Sequence, residues 1–173
     1  VELVQSLRGH RGAVLCVDTV GDGVIASGGE DGCIRLWDLS ASRTTRALVP
    51  ATNPEAINCV CHGQGCTKDC IYAAAGNDVF GFDLRAPGIL LQQPVSHFTG
   101  NKDEVSALAM HESGTHLVAA DDAGELQLFD LIGGKLSRTL LSHRSICSCV
   151  AFRPSSWEIC SGGMDCKCVL WDV

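Results

Sequence analysis

Four times this chain runs through a short apolar segment that ends on an aromatic residue and then an aspartate. The copies are Cys33-Ile34-Arg35-Leu36-Trp37-Asp38, Val79-Phe80-Gly81-Phe82-Asp83, Leu126-Gln127-Leu128-Phe129-Asp130 and Val169-Leu170-Trp171-Asp172. Their aspartates stand 45, 47 and 42 residues apart. A recurrence of that length marks a repeat architecture, in which each unit cannot bury its own apolar face alone. Between the copies, apolar bursts of strand length are punctuated by Gly, Asp and Asn.

In the first repeat, Val14-Leu15-Cys16-Val17 predicts a buried strand and Gly21-Asp22-Gly23 a tight turn. Val24-Ile25-Ala26-Ser27 predicts the second strand, Glu30-Asp31-Gly32 a further turn, Cys33 to Asp38 the third strand and Arg43 to Val49 a polar, exposed fourth. The stretch from Gly21 to Ala26 also imitates a dinucleotide-binding fingerprint, but that motif requires a helix after its glycines. Here a β-branched run follows. In the second repeat Asn53 stands where His10 stood, Ile57 and Val60 match Val14 and Val17, residues 63–70 are a local insertion, and Ile71 to Ala75 form the second strand. The third repeat aligns Gly100-Asn101 with Gly9-His10, Val105 with Val14 and Leu108 with Val17. The fourth carries His143, Val150 to Pro154, Ile159 to Gly162, Asp165 and Trp171. Residues 86–93 and 133–142 are expected to hold the intervening outer strands. Residues 1–7 are expected to be an outer strand delivered ahead of the first complete repeat.

Gly-His, a strand, a second strand ending in Ser-Gly, an Asp turn and then Trp-Asp together resemble the WD-repeat β-propeller family, over nearly the whole chain. The fold this implies is all-β: a WD-repeat propeller with four blades, in one domain over residues 1–173, with repeats at about 7–39, 50–84, 98–131 and 141–172. Blades of this kind stack face on face around an axis. The chain then opens with a fourth strand and closes with a third, so its two ends are expected to pair. Four blades is the small end of the propeller range, which points to part of a larger ring.

The resemblance also implies a buried hydrogen-bond relay, formed by His10, Ser27, Asp31 and Trp37 in the first repeat and by His143, Ser161, Asp165 and Trp171 in the fourth. Ser, His and Asp alone would suggest a hydrolase triad. The trio occurs twice, each time with a tryptophan and a tight turn, and no nucleophile elbow surrounds Ser27. A structural relay is therefore expected and no catalytic residue is assigned. The second and third repeats have Asn53 and Asn101 in place of histidine, and Phe82 and Phe129 in place of tryptophan. The third also has Ala119 and Ala123 at the serine and aspartate positions. These two blades are expected to be held by packing alone.

Composition narrows the function. Hydrophobic residues make up 46% and charged residues 19%, which excludes a disordered chain. A net charge of −7 and a pI near 5.2 argue against a nucleic-acid surface, which needs a broad basic field. No apolar run approaches the ~20 residues that span a bilayer. The expectation is a soluble protein of the cytoplasm or nucleus, with no nucleic-acid or membrane partner. Eleven cysteines lie scattered through strand-like segments, unlike a secreted disulfide framework. Cys147 and Cys149, and likewise Cys166 and Cys168, have the spacing of one strand face. Cys59, Cys61, His62, Cys66 and Cys70 crowd one loop, yet only Cys66 and Cys70 approach metal-ligand spacing. Burial of free cysteine as a small apolar side chain accounts for the rest, so neither metal nor cofactor is expected.

Two features point to partners. Arg11, Pro54, Lys102 and Arg144 follow the Gly-His positions, so three cations are expected on one rim, where they could dock an acidic peptide. Charged turns facing water are also common and would look the same. Phe82-Asp83-Leu84-Arg85 resembles the Trp-Asp-x-Arg box by which some WD-repeat proteins engage the adaptor of cullin-4 RING ubiquitin ligases. Asp83 and Arg85 match that box, and Phe82 replaces its tryptophan. Ser40 and Ile132 stand at the arginine position in the first and third repeats. The resemblance implies a non-catalytic receptor linking the ligase adaptor to a protein substrate. A general scaffold using the basic rim, and an enzyme or metalloprotein using the cysteine cluster, are the alternatives.

Overall fold

The computed structural model describes residues 3–21, 23–50 and 55–173. Asp22 of the first hairpin, and Asn53 and Pro54 of the second repeat, lie outside the described residues. The first blade contains β1 (Val14–Gly21), β2 (Val24–Gly29), β3 (Ile34–Asp38) and β4 (Arg43–Leu48). The second contains β5 (Ile57–His62), a 3-10 turn (Gly65–Thr67), β6 (Cys70–Ala75) and β7 (Asp78–Asp83), followed by β8 (Leu90–Leu91) and β9 (Ser96–Phe98). The third is β10 (Val105–Met110), β11 (His116–Asp121), β12 (Glu125–Asp130) and β13 (Lys135–Leu141). The fourth is β14 (Cys147–Phe152), β15 (Glu158–Gly163) and β16 (Cys168–Asp172). Within each blade successive strands pair antiparallel, β9 serving as the outer strand of blade two. The molecule is all-β, built from four propeller blades.

Burial explains why the middle strands read as continuous apolar runs. A blade sandwiched between two others must present an apolar surface on both faces, and side chains on a strand alternate between them. On β6, Ile71, Ala73 and Ala75 pack toward blade one, and Tyr72 and Ala74 toward blade three. On β11, Leu117 and Ala119 face blade two, and Val118 and Ala120 face blade four. Three apolar layers result, one at each interface between successive blades. Phe82 and Phe129 are almost fully enclosed in the first two, at 1% and 0% exposure. Burying each contributes about 1.5–3 kcal/mol. At Gly28 a Cβ would stand 2.4 Å from Ile57 Cγ2, so this glycine sets how closely blade two approaches blade one.

Each inner strand carries a bulge at the same place: between Val14 and Cys16, Ile57 and Cys59, Val105 and Ala107, and Cys147 and Cys149. An extra residue in a strand reverses the facing of everything after it. Cys147 is therefore buried against blade three while Cys149 is exposed, so they do not share a face as their spacing predicts. Cys166 also departs from expectation. It sits in the turn before β16 with φ of 63°, off the strand that holds Cys168.

Two expected outer strands are placed differently. Leu3 to Ala13 form no ladder; Gln5 Nε2 instead donates to Leu39 O at 3.2 Å and Ser42 Oγ at 2.6 Å, holding this segment against blade one. Among the described residues β16 has no partner on its outer side, so the expected pairing of the two ends is not formed. Residues 86–93 do not supply blade two's outer strand either. Leu90 and Leu91 pair in parallel with Ala47 and Leu48 of blade one, and Leu91 buries in the layer between blades one and two. β1, expected to be a buried strand, is not: Val14 and Val17 are 56% and 65% exposed because no described strand packs against the outward face of blade one, and on the outward side of blade four Met164 and Leu170 are 64% and 63% exposed.

Candidate functional site

The relay residues meet in both blades where the sequence places them. Ser27 on β2 receives the Trp37 Nε1–H at 2.8 Å and lies 2.7 Å from His10 Nε2. His10 Nδ1 is 2.8 Å from Asp31 Oδ1, and Asp31 Oδ2 accepts the Arg11 N–H at 2.9 Å. The fourth blade repeats the circuit: Trp171 to Ser161 at 2.8 Å, His143 Nε2 to Ser161 at 2.9 Å, His143 Nδ1 to Asp165 at 2.9 Å, and the Arg144 N–H to Asp165 at 3.1 Å. An ionised carboxylate only accepts, so each histidine donates its Nδ1–H to the aspartate; in that neutral tautomer Nε2 accepts the serine hydroxyl proton, while the serine oxygen accepts the indole N–H. Both serines are buried, at 5% and 1% exposure.

The electrostatics follow from this wiring. Burial alone would raise the Asp31 carboxyl, but the Arg11 N–H and the His10 ring outweigh it and hold it below the usual range. The His143 hydrogen bond does the same for Asp165, against a smaller burial effect. An open groove of about 460 Å³ along the uncovered face of β1 touches His10, Ser27 and Trp37.

Blade three is wired, contrary to the expectation that packing alone holds it. Ala119 and Ala123 occupy the serine and aspartate positions, but Asp121, two residues before Ala123, takes over the aspartate's work. Fully buried, it accepts the Lys102 N–H at 3.1 Å and the Glu125 N–H at 2.8 Å. Gln127 replaces the serine–tryptophan link, donating to Gly100 O at 3.3 Å and accepting from Thr139 Oγ1 at 2.7 Å. Asn101, at the histidine position, donates to Asn77 O at 3.0 Å. A buried carboxylate kept by two backbone N–H groups is a satisfied one.

Arg11, Lys102 and Arg144 hold equivalent positions just before an inner strand, each giving its backbone N–H to an aspartate, half-buried at Asp31 and Asp165 and fully buried at Asp121. All three side chains are exposed on that rim. Their charges are not equally free, because Lys102 Nζ bonds Glu125 Oε1. Asp103 and Glu104 adjoin it, and burial together with Glu104, Asp103 and Asp121 raises the Asp122 carboxyl. Over blade three the rim is acidic.

At the other end of the third strands, the repeat aspartates share one local geometry. Asp38 Oδ1 accepts the Ser40 N–H at 2.9 Å, Asp83 Oδ1 the Arg85 N–H at 2.9 Å, and Asp130 Oδ1 the Ile132 N–H at 3.1 Å. Such Asx turns bend the chain out of the strand. In the first repeat the Ser40 side chain also returns to the carboxylate, its Oγ donating to Asp38 Oδ1 at 2.6 Å; in the second repeat the returning group is a guanidinium. Arg85 Nε lies 3.0 and 3.2 Å from the two Asp83 oxygens, and Nη2 lies 2.7 Å from Oδ2. The Arg85 side chain hydrogen bond drives the Asp83 carboxyl down to about 2. The guanidinium remains 71% exposed, with Nη1 making no hydrogen bond among the described residues.

The crowded cysteines resolve into packing. Cys59 and Cys61 lie in the layer against blade three, and burial pushes the Cys61 thiol up to about 12. The inserted loop is a strut: Cys66 N–H donates to Ser113 O at 3.1 Å and Thr67 Oγ1 to Gly114 O at 3.1 Å, joining blade two to blade three. Among the described residues no group of three or more His, Cys, Asp or Glu side chains is placed to hold a metal ion. No helix among them is long and apolar enough to cross a membrane.

Comparison with known proteins agrees with the repeat architecture. The WD domain, G-beta repeat family matches residues 1–38, 92–130 and 134–172, well over half of the chain. This chain belongs to the WD40 family, whose repeats serve generally as protein-interaction scaffolds. It is 31% identical over 169 residues to the WD repeat-containing protein 53 homolog of Dictyostelium discoideum, covering 96% of this chain and 45% of that protein. It is 27% identical over 153 residues to Autophagy-related protein 16 of Arabidopsis thaliana, covering 87% of this chain and 28% of that protein. It is 29% identical over 167 residues to the Ribosome biogenesis protein WDR12 homolog of Oryza sativa subsp. japonica, covering 94% of this chain and 36% of that protein. The chain thus spans less than half the length of each.

Proposed function

We propose that this chain is a non-catalytic scaffold that acts as a substrate receptor of a cullin-4 RING ubiquitin ligase, touching the ligase adaptor through Asp83 and Arg85. The observation that supports this reading most is the Asp83–Arg85 clamp. Its aspartate geometry is shared with the other repeats, but its arginine is not. A planar guanidinium held by its own carboxylate is pre-oriented, so little side-chain freedom is lost when its remaining donors meet a carbonyl or carboxylate on a partner. Exposure of the group, and its likeness to the adaptor-binding box, agree with that role.

The same propeller frame also suits a general scaffold that binds an acidic peptide along the rim of Arg11, Lys102 and Arg144. The Lys102–Glu125 pair weakens that alternative, because one of its three cations is already neutralised on the molecule. Co-purification from cells separates the two readings. Arg85→Ala should release the ligase adaptor while Arg11→Glu with Arg144→Glu retains it. The reverse outcome would favour the acidic-peptide scaffold.

A further inference from the structure

The turn that presents Arg85 is held from behind by blade one. Arg46, half-buried on β4, shares a strand face with Leu48, which packs in the layer between blades one and two. From there its Nη1 donates to Leu84 O at 2.5 Å. The Leu84 C=O and the Arg85 N–H are the two ends of one planar peptide unit. The N–H end donates to Asp83 Oδ1 at 2.9 Å, so Arg46 and Asp83 grip the same plane from opposite sides. The preceding peptide is fixed as well, since the Leu84 N–H donates to Asp69 O at 2.7 Å. Leu84 and Ala86, on either side of Arg85, pack against the blade one–two layer. The N–H tie is common to the repeats: Leu39 donates to Gly23 O at 2.8 Å and Leu131 to Thr115 O at 2.9 Å. The tie on the carbonyl is not. Two residues before the repeat aspartate, Gly81 of blade two faces Ser96 where Leu36 of blade one faces Arg46. Among the described residues no guanidinium therefore backs the next turn, at Asp130.

We propose that Arg46 is a positioning residue for Arg85: a guanidinium on blade one that fixes the peptide plane from which the Asp83–Arg85 clamp is presented to its partner. The identity of that partner rests on the adaptor reading above; the positioning itself rests on the geometry. A hydrogen bond accepted by a peptide carbonyl strengthens the N–H at the other end of the same unit, and a charged donor gives one of the stronger bonds. The Arg46 contact thus tightens the Arg85 N–H on Asp83. Without it the plane can turn about its Cα–Cα axis, which withdraws the N–H from the carboxylate and loosens the guanidinium that follows. Residues 82–85 are then not a self-contained recognition motif. They are competent only while blade one is docked on blade two, and opening of that layer releases the clamp without touching a partner-facing atom.

The test compares wild type, Arg46→Met and Arg138→Met by carbon NMR titration of Asp83 and by calorimetry with the purified adaptor. Arg138 is exposed on β13 opposite Leu128, the place of Arg46 on blade three, so its loss removes the same charge away from the clamp. In Arg46→Met the Asp83 carboxyl, at about 2 in the wild type, should titrate higher, though short of its value in Arg85→Ala. Adaptor affinity should fall roughly threefold or more. Arg138→Met should move neither. An Asp83 titration unchanged in Arg46→Met, or moved equally by Arg138→Met, overturns the proposal even where the melting temperature falls, because an ordinary tie between blades alters stability alone. Full affinity in Arg46→Met while Arg85→Ala loses it overturns it too. If Arg85→Ala binds as wild type does, or neither binds, the adaptor reading fails and the Asp83 titration still decides the part of Arg46. Guanidinium NMR of the unaltered chain needs no variant to fold: Arg46 should show hindered rotation and slow proton exchange, and Arg138 free rotation. Free rotation at both would also overturn it.

Discussion

Arg85 lays its guanidinium across both carboxylate oxygens of Asp83, two residues before it, at 2.7 to 3.2 Å. The contact is local and exposed; at the equivalent turns Ser40 Oγ donates to Asp38 in its place and Ile132 offers Asp130 no polar side chain. Its immediate consequence is an unusually acidic carboxyl, near 2. Carbon NMR of the Asp83 side chain should show it still ionised at pH 3, and Arg85→Ala should return it toward the ordinary ~3.9. A titration unaltered by Arg85→Ala would show that the clamp does not persist in solution.

The relays set stability in blades one and four. Asp31→Ala leaves the His10 ring and the Arg11 N–H without their acceptor, at a cost of about 1–3 kcal/mol, and Asp165→Ala should act in the same direction. Both carboxyls are held below their ordinary values in the fold. Their contribution is thus complete above the unfolded carboxylate range, ~4, and is lost as pH falls through the depressed values. Denaturant melts from pH 7 to pH 2 should show an acid loss in the wild type that shrinks in Asp31→Ala. Equal acid sensitivity in both would count against the relay.

Blade three should answer to a different residue. Asp121→Ala strands the Lys102 and Glu125 N–H groups and should cost about 1–3 kcal/mol by thermal or denaturant melt. Ala123→Asp, which restores the repeat pattern on paper, should give no comparable gain because Asp121 already holds the Lys102 N–H. A stabilising Ala123→Asp together with a neutral Asp121→Ala would contradict this assignment.

The strut between blades two and three depends on Gly114. Its φ is +74°, and a Cβ there would stand 1.8 Å from Gln64 O. The left-handed conformation alone costs a side chain roughly 1–2 kcal/mol, and the loop must also withdraw. Gly114→Ala should raise amide exchange in residues 64–67 before it alters β10 or β11. Unchanged exchange in that loop would show that the strut is not closed in solution.

Much of this frame is legible in the residues. Trp-Asp and an upstream histidine fix the first and fourth blades, because serine, aspartate and tryptophan keep the same spacing in both. The third blade's wiring is not legible by that rule. Asp121 does the aspartate's work from a position two residues early, and only the bend of the chain reveals that its carboxylate reaches the same backbone N–H. Leu90–Leu91 is hidden for another reason: a two-residue strand has no periodicity, and burial of Leu91 beside Leu48 decides which blade it joins. The cysteine pairs are misread by spacing because a bulge lies between Cys147 and Cys149 and a turn holds Cys166. Among the residues proposed to face a partner, Arg85 stands out in the sequence by its isolation among the repeats, and the rim cations are legible without the Glu125 that neutralises one of them.

The central claim is that a wired propeller frame presents Arg85 to a ligase adaptor, and direct binding of the purified adaptor to this chain tests it. Calorimetry should show that Arg85→Ala weakens affinity about tenfold or more, the loss of one charge-assisted hydrogen bond of roughly 1.5–3 kcal/mol, while Arg11→Glu with Arg144→Glu leaves it unchanged. Equal affinity of wild type and Arg85→Ala, or no binding by either well-folded protein, would contradict the account.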